Sequence, residues 1–311
     1  ITGGGSMIRK HTRRAAKAAF AISLGVAIVL GGIAANASAK PQAKPTVLVG
    51  NKNFTEEFIL GQLYGQALKA KGFPVKYAGS LGSSELADTA IKSGKINLLP
   101  EYTGVVVQDI AKKTPGKTAA AVYAQAKRFE ETRGLTMLKA TPFYDTDTVT
   151  VLKSTAQKYG LKTIGDLKKV KSFTYAGFPE CQTRMTCLLG LKRTYGLTQT
   201  KFVPLSTISV YTLLDDGKAT GGDGFSTDPQ QATGRYVALK DTKHIFGFQN
   251  VAPIVSKKLL TAGGSAFAST VNAVSSKLTL AAMQAMNKAV GIDKKTPAAV
   301  ASAFLKANGL K

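Results

Sequence analysis

Thr46-Val-Leu-Val-Gly50 runs into Asn51-Lys52-Asn53-Phe54-Thr55-Glu56-Glu57, and this junction decides the fold. The first segment is a short apolar strand. The second opens an amphipathic helix over residues 55–71: Thr55 suits an N-cap, Glu56 and Glu57 suit the positive end of the helix dipole, and Gly72 stops it. Phe58, Ile59, Leu63, Ala67 and Ala70 mark its expected buried face. A strand over 73–78 follows. Gly82-Ser83-Ser84-Glu85-Leu86 then opens a second helix over 84–92. A buried strand over 96–99 leads into Pro100-Glu101-Tyr102-Thr103-Gly104. The stretch therefore joins two helix starts and one aromatic side chain at the ends of alternating strands.

The same alternation continues to the end of the chain. Helical patterns are expected over 118–133, from 165, over 184–195 and over 209–216, and strands over 135–139, 148–152, 173–176, 201–205, 221–225, 236–239 and 252–256. Helices over about 265–275, 278–289 and 297–307 close the chain. This pattern predicts an α/β fold with mostly parallel sheets flanked by helices. The chain is expected to leave one lobe near Asp147 and return near Asn250, a double hinge. Residues 46–147 plus 251–311 would form lobe 1 and 148–250 lobe 2, and such lobes hold ligand between them.

Arg9, Lys10, Arg13, Arg14 and Lys17 precede a run of apolar and small residues over 18–35, and Ala37-Ser38-Ala39 resembles a cleavage signal. Residues 1–39 are thus expected to be an export signal and 40–45 a linker. Neither cysteine stands at that cleavage point, so no N-terminal lipid anchor is expected, and the location reads as periplasmic. Removing the signal's five basic residues from a formal charge of +24 leaves +19. The lysines are scattered rather than set in one stripe with aromatics, which argues against nucleic acid as partner. Cys181 and Cys187 are the only cysteines. In an exported chain their spacing suits a small disulfide loop worth about 2 kcal/mol, with two free thiols as the alternative.

Catalytic signatures are absent: the sequence has no metalloprotease, phosphate-loop, dinucleotide or nucleophile-elbow motif. Beyond the signal the only histidine is His244, too little for a zinc site or a histidine-based triad. No enzyme, cofactor or metal is expected. Binding has better material, because helix starts present unpaired N–H groups that hold anions. Lys52 and Asn53 precede one such start, and Gly82, Ser83 and Ser84 form another. Taken alone, Lys52 reads as a solvated lysine at a strand end.

The stretch over 47–102 resembles the start of the quaternary-ammonium solute-binding proteins of ABC importers, which take glycine betaine, choline or carnitine. The likeness extends through Pro179-Glu180-Cys181, Arg184, Cys187 and Gly190-Leu191, then Tyr211-Thr-Leu-Leu, Gly224-Phe225-Ser226-Thr227-Asp228 and Asn250-Val251-Ala252-Pro253. It implies a two-lobe periplasmic binding protein of type II, monomeric, that delivers a small cationic or zwitterionic solute to a membrane permease. It also implies a cage of aromatics around the ammonium, with Tyr102 and Phe225 at cage positions and Lys52 and Arg184 at carboxylate-binding ones. Two further cage positions fall on Asp147 and Gln249, and Val105 stands where a threonine would help. Such a cage is more polar than four tyrosines. It leaves open choline, carnitine, another betaine or a non-quaternary cationic amino acid or amine. The rival from another class is a secreted basic scaffold that binds anionic envelope polymers.

Overall fold

The computed structural model describes residues 43–205 and 209–311, together with Ile1. The expected signal and most of the linker lie outside the described residues. No described helix is long and apolar enough to cross a membrane.

Among the described residues, ten strands form two five-stranded sheets. The first has the order β2-β1-β3-β10-β4, built from β1 (Val47–Asn51), β2 (Val75–Ser80), β3 (Leu98–Tyr102), β4 (Leu135–Met137) and β10 (Val251–Ser256). The second has the order β7-β6-β8-β5-β9, from β5 (Asp147–Leu152), β6 (Thr174–Gly177), β7 (Lys201–Pro204), β8 (Gly221–Phe225) and β9 (Tyr236–Leu239). Each sheet is mixed rather than mostly parallel. In the first, β1 runs parallel to β2 and β3, but β10 is antiparallel to β3 and β4. In the second, β6 is parallel to β7 and β8, but β5 is antiparallel to β8 and β9. The reversed strands, β5 and β10, are the ones that arrive from the other lobe. The molecule is thus a two-lobe α/β structure whose chain crosses between sheets twice.

Both faces are covered along the inner strands of the first sheet, so β1 and β10 are buried along nearly their whole length, whereas the edge strand β2 is largely exposed. Leu98 and Val255 face a cluster with α1 (Thr55–Ala70), while their neighbours Leu99 and Ile254 face a second cluster with α2 (Ser84–Lys92). A short α3 (Thr103–Val105), its π-helical continuation (Val106–Ile110) and α4 (Ala119–Glu131) complete that second layer. The second lobe carries α5 (Lys153–Tyr159), α6 (Leu188–Tyr195) and α7 (Val210–Asp215); α8 (Lys257–Lys277), α9 (Leu280–Gly291) and α10 (Pro297–Ala307) return to the first.

Three local expectations change for physical reasons. Ala70 is exposed, and Leu60, Tyr64 and Leu68 are buried, because α8 and α10 pack on α1 and bury more of its circumference than one stripe. The helix expected over 184–195 begins only at Leu188. Cys181 and Cys187 are bonded, with Cα atoms 5.1 Å apart. Six residues of α-helix would separate them by about 9 Å, beyond a disulfide's reach. The segment instead makes a 3-10 turn over Pro179–Thr183 and leaves Arg184 extended. Finally, α8 starts earlier than expected but breaks at Gly264, whose φ of 61° favours glycine.

Candidate functional site

The strand ends of both sheets converge on one cavity of about 50 Å3. Lys52, Asn53 and Phe54 reach it from the β1–α1 junction, Ser83 and Ser84 from the start of α2, and Tyr102 and Val105 from the end of β3 and α3. The second lobe supplies Asp147, Phe178, Arg184, Asp223 and Phe225. Gln249 comes from the returning crossing. This position, beyond strand ends and between lobes, is where open α/β sheets bind ligands. All eight residues singled out in the sequence (Lys52, Asn53, Ser83, Tyr102, Asp147, Arg184, Phe225 and Gln249) line this cavity.

Sheet register explains part of the arrangement. Asp147 pairs with Phe225 across the antiparallel β5/β8 ladder, which puts their side chains next to each other. Asp223 precedes Phe225 by two residues and so shares its face. Opposite them stands Phe54, its ring 5.8 Å from that of Phe225 and nearly parallel to it, and 6.2 Å from that of Tyr102. With Phe178, four aromatic rings border the cavity. Phe54 and Phe178 were missed in the sequence, although Phe54 directly follows the Lys52-Asn53 pair.

The two basic residues are already engaged. Lys52 is buried, and its ammonium lies 2.5 Å from Glu101 and 3.5 Å from Glu57. The same ammonium sits 4.1 Å from the centre of the Tyr102 ring and 5.5 Å from that of Phe54. Burial, reinforced by the Glu101 charge, pushes Glu57 up to about 8 despite the nearby lysine. Arg184 donates through Nε and Nη2 to both oxygens of Glu85, which belongs to α2 of the other lobe. Burial works against the Glu85 charge, yet Arg184 holds its carboxyl down at about 2. Gln249 is engaged too: its amide accepts from Val105 N–H and donates to Phe246 C=O.

The remaining ionisable groups are acidic. Among the described residues, Asp145, Asp147 and Asp223 form no ion pair. Burial pushes Asp147 up to about 7, with the Asp109 charge adding and Arg184 opposing. Burial likewise raises Asp145 and Asp223. Asp145 accepts from Ser226 Oγ and Thr227 N–H, and Asp223 from the Tyr175 hydroxyl. A larger space of about 630 Å3 adjoins the cavity through Phe54, Asp145, Asp223 and Phe225, and Glu56 and Asp228 line it as well. The walls of the site are therefore aromatic and carry buried carboxyl groups that a bound cation would help to ionise, a combination suited to cations.

Further contacts tie the lobes together around the site. Thr186 donates to Asp109, Gln284 to Ser226 C=O and Asn287 to Thr227 C=O. Asn287 also donates to Glu56, and Tyr102 donates to the same carboxylate.

Residues 45–307 match the family described as the substrate-binding domain of ABC-type glycine betaine transport systems. A glycine-betaine-binding protein of Pseudomonas aeruginosa is 32% identical over 280 residues, covering 85% of this chain and 88% of that one. A carnitine transport binding protein of Listeria monocytogenes is 26% identical, covering 86% and 88%. A crystal structure of a glycine betaine/carnitine/choline ABC transporter superposes with a TM-score of 0.68 at 25% identity, over 85% of this chain and 99% of that one. With its two-lobe fold and a cavity at the lobe junction, the chain belongs to the family of substrate-binding domains of ABC-type glycine betaine transport systems, which are transport proteins and not enzymes.

Proposed function

We propose that this protein is the extracytoplasmic component of an ABC importer and captures a small quaternary-ammonium solute between its lobes. The observation that carries the reading is the Lys52 ammonium held against the Tyr102 and Phe54 rings. Ring faces that accept one cation internally are suited to accept another from solution, at about 2 kcal/mol or more per desolvated face. Tyr102, Phe54 and Phe225 would hold the cationic head with Asp147 beside it, while Asn53, Ser83 and Gln249 shape the wall. In this reading a single chain is exported to the periplasm and presents the solute to a membrane permease.

A second reading is favoured by the acidic lining. Asp145, Asp147 and Asp223 offer hydrogen-bond acceptors that a quaternary ammonium leaves unused, whereas a primary ammonium or guanidinium would use them. A thermal-shift screen separates the two. Ligand at one hundred times its Kd stabilises by about 2.7 kcal/mol, a rise of roughly 5 °C for a domain of this size. A salt-tolerant rise with choline, glycine betaine or carnitine supports the first reading. A rise only with arginine or polyamines replaces it with the second, and no rise with any of them refutes both.

A further inference from the structure

We infer that Glu85 is a specificity-determining residue, occupying Arg184 as an internal carboxylate so that the site selects cations lacking a carboxylate of their own. The inference rests on the reading of this cavity as a cation site. The only lysine and arginine among the residues lining it are Lys52 and Arg184. Lys52 is matched by Glu101 and Glu57 from its own lobe. Arg184 is matched across the cleft by Glu85, with both carboxylate oxygens engaged, the planar geometry in which arginine binds a carboxylate most strongly.

A solute carboxylate would have to take Arg184 from a tethered competitor, which acts at a high effective concentration. It would also bring its charge into a space bordered by Asp145, Asp147, Glu180 and Asp223, where burial already disfavours the ionised form of the three aspartates. A solute with a hydroxyl or hydrocarbon in place of the carboxylate meets neither obstacle. Its cation still finds the rings and the unpaired aspartates. Glu85 thus does two things at once: it bridges the lobes and fills the anion position.

The test is calorimetric titration of the protein with two pairs of compounds that differ in whether they carry a carboxylate: choline against glycine betaine, and agmatine against arginine. Wild type should bind the carboxylate-free member of a pair at least tenfold more tightly. Glu85→Gln and Glu85→Ala should each narrow that ratio at least tenfold, through a gain for the carboxylated member. A merely structural role for Glu85 would weaken both members alike. The inference is overturned if wild type prefers the carboxylated member, or if both variants leave the ratio unchanged. Binding confined to the agmatine–arginine pair would refute the quaternary-ammonium reading, while the ratio within that pair still decides the role of Glu85. Silence from all four compounds overturns both.

Discussion

Replacing Asp147 by asparagine removes a carboxylate whose charge is costly to the empty protein and useful to a bound cation. Burial and the Asp109 charge raise Asp147 from 3.8 to about 7. At about 1.4 kcal/mol per tenfold change, that difference corresponds to on the order of 4 kcal/mol against the ionised form. Because the folded-state value is raised, the native protein holds a proton that the unfolded chain has lost between these limits. The stability contributed by this group is full below pH 3.8 and is lost as pH rises through about 7. Ligand-free Asp147→Asn should therefore gain in melting temperature over wild type as pH rises from about 4 to 8, by several degrees at the upper end. Cation binding should show the opposite balance. A cation beside Asp147 favours the ionised form, so binding expels a proton and wild-type affinity climbs between pH 6 and 8, at most tenfold per pH unit for this group. At pH 8 the asparagine variant should bind roughly tenfold to a hundredfold more weakly, the value of a charge-assisted contact. Titration calorimetry in two buffers of different ionisation heat reads the proton release directly. A wild-type affinity that is flat from pH 6 to 8, or a variant with the same slope and affinity as wild type, would refute the assignment of Asp147 to the cation.

Phe54→Ala removes the ring that lies between Tyr102 and Phe225. It should cost about 2 kcal/mol of cation affinity, some thirtyfold, and the ligand-induced thermal shift should shrink accordingly; unchanged affinity would exclude Phe54 from the cage. Reducing the Cys181–Cys187 bridge, or replacing both cysteines by serine, should cost about 2 kcal/mol for so short a loop, seen as a lower melting temperature. The same change frees the Arg184 segment, so ligand titrations should show a larger loss for the reduced protein than its stability change alone explains. Gly190→Ala would place a methyl 2.0 Å from the Met185 carbonyl oxygen, a backbone atom that cannot swing aside. It should destabilise by about 1–3 kcal/mol in a denaturant melt.

Local patterning made the α/β architecture readable. Strands β1 and β3 and helices α1 and α2 stand within a few residues of their expected places, because periodicity and helix-stop glycines act over neighbouring residues. Thr118, Ser209 and Thr296 cap helices through their side chains, a signal contained within three or four positions. The burial of α1 was less readable, since it depends on helices more than 180 residues later in the chain. The mixed character of the sheets was also hidden. An antiparallel neighbour is decided by where β5 and β10 insert after crossing, and their own residues do not encode it.

The candidate site divides in the same way. The family resemblance, carried by spaced motifs, picked out Lys52, Tyr102, Asp147, Arg184 and Phe225, which the fold gathers around one cavity. Their electrostatic condition was not readable. Lys52 meets Glu101 at a separation of 49 residues, and Arg184 meets Glu85 at 99. Whether a buried charge is free for a solute or satisfied by the protein depends on which opposite charge lies within a few ångströms, and on how much water has been excluded. The sequence by itself determined the alternation of strands and helices and the inventory of aromatic and charged side chains near their ends. Only the tertiary structure decided which of those charges cancel, because Coulomb attraction and desolvation act through space and disregard distance along the chain.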